Sequence, residues 1–229
     1  MKKRSRRYLE LCQTIDKIDY SGEEALEVLK KITNVKFNES VDVNANLNID
    51  PKYADQQLRA TLILPEGTGQ TKRIAALVDE DQYKQAEDAG ADIVGSEDLI
   101  DNINKGIIDF DILITTPKLM PKLAKLGKVL GPKGLMPSPK TGTITTNLNE
   151  TINEFKKGKI EYRAVKTGNV LISFGKIDFS EEKLLNNLKA VYGSIEKNRP
   201  SGVKGKYIKN FTISSTMSPS LVVNTETLK

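Results

Sequence analysis

Six lysines, Lys118, Lys122, Lys125, Lys128, Lys133 and Lys140, fall in residues 112–149, a stretch that contains no Asp or Glu. Ammonium groups without neighbouring carboxylates in the sequence favour phosphate as a partner. Residues 127–145 read GKVLGPKGLMPSPKTGTIT. Proline fixes φ and lacks an N–H, and glycine permits close backbone approach, so this composition predicts a rigid, irregular loop that protrudes and binds. An ordinary solvated lysine face is the alternative reading. A second acid-free window, residues 197–225, carries Lys197, Arg199, Lys204, Lys206 and Lys209. The acids gather elsewhere, around residues 80–88 and 96–101, and such segregation is the footprint of a polyanion-binding face.

Other chemistry is removed by what the chain lacks. There is no histidine, and Cys12 is the only cysteine among 229 residues. Imidazole acid–base catalysis, a Ser-His-Asp or Cys-His pair and a Cys/His zinc site therefore have no residues to build them, and no disulfide can close within the chain. Cys12 reads as a small buried apolar residue rather than a nucleophile. Residues 134–141, GLMPSPKT, imitate a phosphate-binding loop, but Pro139 stands where a donating glycine is needed and a strand-like GTIT follows in place of a helix. Residues 67–73, GTGQTKR, precede their strand, which is the wrong order for a dinucleotide fingerprint. Asp79, Glu80 and Asp81 fit the start of a helix better than a metal site. The expectation is a non-enzyme with no cofactor, no metal and no small-molecule substrate.

Two other segments suit RNA. Lys36-Phe37-Asn38-Glu39-Ser40 sets an aromatic ring beside a base and polar groups, which can stack on an unpaired nucleotide and hold its phosphate, although Phe37 also suits a core. Residues 212–220, TISSTMSPS, offer hydroxyls and backbone amides for sugar and phosphate, or simply an edge strand and a turn.

The elements that must position these groups follow from periodicity. A capping box, Ser21 and Glu24, opens a helix that should end near Thr33, with Ala25, Leu26, Leu29 and Ile32 as its stripe. Val41, Val43, Ala45, Leu47 and Ile49 alternate with Asp and Asn, which predicts a strand with one wet face. Another strand spans 60–64. Strand and helix then alternate: strands at 73–78, 92–94 and 110–115, helices at 81–89, 96–105 and 117–126, the βαβ rhythm of a small parallel sheet. A helix at 149–157, strands at 160–165, 170–174 and 207–214, and a helix at 180–197 complete the chain. The basic N-terminus is an arm or the start of a helix, with no apolar signal core behind it. A hydrophobic content of 38%, a charged content of 28% and a net charge of +5 describe a globular protein, and no apolar run approaches the roughly 20 residues of a membrane span.

The economical fold class is α/β in two domains. An α+β outer domain from both chain ends, residues 1–66 and 160–229, would carry an inserted Rossmann-like, three-layer α/β domain at 67–159, with glycines at the crossings allowing relative motion.

KFNES, LPEGTG, LGKVLGPKGLMPSPKTGTIT, FKKGKIEYR and STMSPS, in this order and spacing, together resemble the bacterial and organellar large-subunit ribosomal protein L-one family, over essentially the whole chain. The resemblance implies an outer domain gripping large-subunit rRNA at the mobile stalk, other components of the large ribosomal subunit as neighbours, and a role in moving and releasing exit-site tRNA. It also implies repression of the protein's own mRNA through an rRNA-like site. Lys36, Phe37, Glu39 and Ser40 would make the first rRNA contact, Lys166, Thr167 and Gly168 the second, and Ser214, Thr216, Met217 and Ser218 the third. Lys128, Lys133 and Lys140 would face tRNA or neighbouring RNA. The family usually has glycine at Ser218, for close backbone approach, and aspartate at Val165, an acceptor for a ribose hydroxyl. The implied location is a ribosome, in a plastid stroma or a bacterial cytoplasm, with the Asn, Ile and Lys bias leaning to the plastid.

Overall fold

The computed structural model describes residues 4–203 and 205–228. Lys204, one cation of the second acid-free window, lies outside them, as do residues 1–3 of the basic N-terminus. The chain forms two compact units, Met1–Gly69 with Ile160–Lys229, and Gln70–Lys159.

In the first unit the basic start becomes a helix, α1 (Arg6–Gln13), capped by Ser5; Cys12, on this helix, is exposed rather than buried as expected, because α1 sinks none of its residues into the core. α2 (Gly22–Ile32) opens at the expected capping box: the Glu24 amide donates to Ser21 Oγ (3.3 Å) and the Ser21 amide to Glu24 Oε2 (3.2 Å). β1 (Ser40–Leu47) alternates as its sequence requires, with Val41, Val43, Ala45 and Leu47 buried and Asn44 and Asn46 exposed. β2 (Arg59–Ile63) precedes the second unit.

Strand and helix alternate in that unit: β3 (Ile74–Leu77), α3 (Tyr83–Asp88), β4 (Ile93–Gly95), α4 (Glu97–Asn104), β5 (Ile112–Thr115), α5 (Met120–Ala124), α6 (Gly127–Lys133) and α7 (Leu148–Lys156). The three strands are parallel in the order β4-β3-β5. Both faces are dry, as buried parallel strands require. Ala75, Leu77 and Leu113 pack with Leu99, Ile103, Leu123, Leu126 and Leu130. Ile74, Ala76 and Ile114 pack with Ala86, Ile152 and Phe155.

The second pass through the first unit gives β6 (Lys159–Arg163), β7 (Asn169–Lys176), α8 (Glu181–Lys197), β8 (Ile208–Ser215) and β9 (Leu221–Val222). β1 lies between β7 and β8, antiparallel to both, in a sheet ordered β7-β1-β8-β9, and β2 pairs with β6. α2 and α8 bury the apolar side of the large sheet, where Val43, Phe174, Leu188, Phe211 and Ile213 share one core.

Asn187 of α8 fixes the place where the chain leaves this unit. It is 0% exposed. Its Oδ1 accepts from the Glu66 amide (3.1 Å), and its Nδ2 donates to the carbonyls of Gly67 (3.0 Å) and Phe174 (2.8 Å). Asn187→Leu would orphan those backbone groups, so we expect it to destabilise the chain by about 3 kcal/mol, read as a lower urea midpoint.

A second buried polar group behaves oppositely. The Tyr207 hydroxyl meets no hydrogen-bond partner among the described residues, and burial, then the neighbouring Tyr162, pushes its pKa up to about 12 while Arg199 opposes the shift. Protonated Tyr207 is thus favoured by folding. Its contribution is complete below the ordinary value of 10.0 and is lost as pH rises toward about 12. Tyr207→Phe should leave neutral-pH stability within about 1 kcal/mol and flatten the decline in urea midpoint through that alkaline window. An unchanged decline would assign it to other groups.

Candidate nucleic-acid interface

A buried carboxylate joins the two ends of the first unit. Glu39 precedes β1 and continues its inward parity, so its side chain enters the protein and is 1% exposed. Oε2 accepts from Ser215 Oγ (2.8 Å) and Oε1 from the Met217 amide (2.9 Å). An unpaired carboxylate there would be strongly unfavourable, and these bonds remove that penalty. Ser40 adds a second tie, its amide donating to Thr216 Oγ1 (3.1 Å) while its hydroxyl accepts from Lys176 Nζ (2.8 Å).

These bonds set residues 36–40 against 214–218 at one end of the four-stranded sheet. With Glu39 turned in, Lys36 and Phe37 are exposed, and Phe37 is 52% accessible. Met217 is 48% accessible although its amide is anchored. Phe37 is therefore a surface ring rather than a core residue. Glu39, expected among the direct contacts, has no oxygen facing solvent and acts by holding the Met217 loop.

Ser218 closes that loop. Its Oγ accepts from the Ser215 amide (2.9 Å) and donates to the Pro219 carbonyl (3.0 Å). No non-glycine described residue has positive φ, so serine is unstrained at the position where the resemblance leads one to expect glycine.

Lys166, Thr167 and Gly168 lie at the other end of β1, in the turn from β6 to β7. Gly168 donates to the Val165 carbonyl (2.9 Å) and accepts from the Leu47 amide (3.0 Å). At φ +79° a Cβ would meet the Leu47 and Ile49 carbonyl oxygens at 3.0 and 3.1 Å, so only glycine fits without a shift. The structure thus joins the first and third expected contacts and sets the second apart by the length of β1, roughly 23 Å at about 3.3 Å per residue.

The wet face of the sheet runs between the two ends. Asp42 faces Ser173 and Ser214, Asn44 faces Leu171 and Thr212, and Asn46 faces Asn169 and Asn210. Apart from Asp42, this stripe offers amides, hydroxyls and one leucine. Near the Gly168 turn the Asn169 Oδ1 is buried and has no hydrogen-bond partner among the described residues.

The lysine-rich segment differs from its expected form. Residues 127–133 are helical, not an irregular loop, despite Pro132 within the helix. Leu123, Leu126 and Leu130 recur at helical spacing and bury against the sheet, and that burial outweighs poor propensity. Gly134, at φ +73°, ends the helix, and its amide donates to the Gly131 carbonyl (3.0 Å). Beyond it, Thr141 and Thr143 share a hydroxyl contact of 2.9 Å, and the Thr115 amide donates to the Thr143 carbonyl (2.9 Å). The absence of acids in the sequence does not carry into space: Lys122 pairs with Glu97 (2.6 Å) and Lys118 approaches Asp79 (3.9 Å). Lys128, Lys133 and Lys140 are exposed and form no ion pair among the described residues. Those residues contain no His/Cys/Asp/Glu group suited to a metal and no helix long and apolar enough to cross a membrane.

Sequence reasoning missed Ser215, Lys176 and Arg7. Arg7 donates from Nη2 to the Met217 carbonyl (3.0 Å) and from Nη1 to Asn34 Oδ1 (3.1 Å). Ser215 was findable: it follows Phe211 and Ile213 on the inward parity of β8, where a polar residue signals an internal partner.

The same segments are embedded in a wider likeness. Residues 29–219 match the Ribosomal protein L1p/L10e family. The chain is 56% identical over 227 residues to the large ribosomal subunit protein uL1c of Phaeodactylum tricornutum, covering 99% of each. It is 52% identical over 229 residues to the large ribosomal subunit protein uL1 of Prochlorococcus marinus strain NATL1A, covering 100% of this chain and 97% of that one. The uL1c of Porphyra purpurea is 52% identical over 228 residues, 100% of both. A match that takes in the Glu39 corner, the Gly168 turn and the lysine segment together leaves one assignment: the chain belongs to the ribosomal protein L1p/L10e family.

Proposed function

We propose that this protein is a non-enzymatic component of the large ribosomal subunit, in a plastid or a bacterium, whose first unit anchors it to large-subunit rRNA at the mobile stalk. The observation that carries this reading is the Glu39 clamp, which holds Met217 by its amide while leaving the Met217 thioether and the Phe37 ring exposed. An exposed ring and thioether backed by a rigid, satisfied polar core suit unstacked bases, and the hydroxyl and amide stripe along β1 suits sugar and phosphate groups read by shape. Lys36, Ser40, Lys166, Thr167, Gly168, Ser214, Thr216 and Ser218 complete the interface.

The inserted Rossmann-like domain, residues 67–159 beside an outer domain of 1–66 and 160–229, then serves as the moving contact. Its unpaired Lys128, Lys133 and Lys140 meet exit-site tRNA or neighbouring RNA and assist tRNA release. An interface that reads shape also accepts any RNA that reproduces the rRNA fold, so the protein's own mRNA is a second ligand of the same residues, with repression as the outcome.

The test is equilibrium binding to an rRNA stalk fragment and to a shuffled hairpin of equal length, across a salt series. Specific binding that survives physiological salt supports the reading, whereas equal, weak and steeply salt-dependent binding to both overturns it. Phe37→Ala should weaken stalk binding by about 1–3 kcal/mol, the range for loss of one stacked base. Met217→Ala and Glu39→Ala should each weaken it, but together by less than their sum, because Glu39 acts through Met217; full additivity would separate the two. Replacing both Lys133 and Lys140 by Gln should leave stalk affinity within about twofold, as rim charges do when they lie off the interface, while slowing tRNA release from ribosomes carrying the variant. A large loss of stalk affinity would put those lysines on the anchoring face.

A further inference from the structure

At the carboxyl edge of the parallel sheet, several polar side chains leave their hydrogen bonds unmade. Gln82 Oε1 and Thr116 Oγ1, which follow β3 and β5, are buried without a partner among the described residues, and Thr116 is only 4% exposed. A buried hydroxyl or amide in that state opposes folding, so each calls for a partner. The local caps are unmade as well. Asp79 precedes the short turn after β3 and Ser96 precedes α4 after β4, yet neither side chain makes a capping bond, although both residue types ordinarily cap.

The connectivity of this sheet shows where a ligand would enter. In the order β4-β3-β5 the chain passes from β3 to β4 on one side, then crosses back to β5 on the other. α3 packs on the face of Ala76 and Ile114, whereas α4 and α5 pack on the opposite face with Ala75 and Leu113. The segments leaving β3 and β5 therefore part to opposite faces. Between adjacent parallel strands that divergence opens a crevice at their carboxyl ends, the switch point at which open α/β sheets take ligands. Asp79 and Gln82 belong to the lip after β3, and Thr116 belongs to the lip after β5. Lys118 on the second lip lies 3.9 Å from Asp79 on the first, with its side chain 84% exposed, so the lips face each other through a weak contact.

We infer that this crevice binds a ribonucleoside without its phosphates. A carboxylate only accepts, and Asp79 can take both hydroxyls of a ribose, the role that acids play at nucleotide-binding switch points. The Gln82 amide and the Thr116 hydroxyl each donate and accept, as the edge of a base requires. Phosphate is disfavoured there. Glu80 and Asp81 are exposed on the first lip and Glu97 and Asp98 open α4, while Lys122 is already paired with Glu97 (2.6 Å). No glycine stands between β3 and α3 to bring backbone amides onto a phosphate. The chain has no histidine to activate Thr116 or a water, so the ligand is held rather than transformed, and its binding does not depend on the rRNA-anchoring reading.

The test titrates the full chain with adenosine, guanosine, cytidine and uridine, each beside its 2′-deoxy form and its 5′-monophosphate, by ligand-observed NMR. At least one ribonucleoside should bind saturably below about 10 mM. Its deoxy form should bind about tenfold more weakly, roughly the loss of one hydrogen bond to a charged group, and its monophosphate more weakly too. Asp79→Asn should erase most of the preference for ribose over deoxyribose. Thr116→Val should weaken nucleoside binding while leaving the melting temperature unchanged or raised, because it removes an unmet buried hydroxyl. A lower melting temperature with wild-type nucleoside affinity would make that hydroxyl a structural group and overturn the assignment. Absence of saturable binding by every ribonucleoside overturns it as well, as does a monophosphate that binds as tightly as its nucleoside. An RNA trinucleotide carries the same nucleosides together with the phosphates that the carboxylates disfavour, so it should bind no better than the monophosphate. Tighter binding than the free nucleoside would give the crevice to an RNA strand and rule out the free ligand.

Discussion

The corner at Glu39 depends on burying a charge. A carboxylate without hydrogen bonds in that position would oppose folding by several kcal/mol, so Ser215 and Met217 must arrive in register with Glu39. That register exists because β1 runs between β7 and β8, which bring residues more than a hundred positions downstream alongside residues 39–47. The surface presented to a ligand is thus a by-product of an internal requirement. Because the carboxylate turns inward, the ring at residue 37 and the thioether at residue 217 remain outside, and their backbones are fixed by the same bonds.

The same sheet accounts for a chain that leaves the first unit and returns. β1 is complete before residue 70, whereas its two neighbours come after residue 159. Closing so long a loop adds little entropic cost beyond that of a short one, because the cost grows only with the logarithm of loop length. What the arrangement needs is fixed exit geometry. Asn187 provides it at Glu66 and Gly67, using one side chain to bond three backbone groups.

Much of this was legible in the residues. The capping box at Ser21, the alternation through β1 and the strand–helix rhythm of residues 73–115 are local signals, and the structure has each element within a few positions. Local signals failed where burial decided. Gly127, Gly131 and Pro132 argue against a helix, yet three leucines at helical spacing recruit the segment to the sheet. β9 is two residues long and exists only because β8 offers an edge. Charge was misread for a similar reason: the acid-free run of sequence around Lys118 and Lys122 acquires Asp79 and Glu97 from other elements. Glu39 was readable in principle. Extending the inward parity of Val41, Val43, Ala45 and Leu47 one step backward puts residue 39 on the buried face, and Ser215 answers it from the inward parity of β8. What no periodicity contains is the partner, since Arg7 and Met217 are separated by 210 positions.

The departure at Ser218 shows how such a corner tolerates change. Glycine suits a loop that must approach RNA closely, and a side chain there would ordinarily intrude. Here the hydroxyl turns back, accepts from Ser215 and donates to the Pro219 carbonyl, so its polar atom is spent within the turn. A serine hydroxyl bonded in this way also restricts the loop in the unbound chain, which lowers the entropy lost when a ligand orders it. The substitution therefore exchanges some freedom of approach for preorganisation. The exchange is possible because Glu39 already fixes Ser215 by its hydroxyl, leaving the Ser215 amide as the donor that Ser218 accepts.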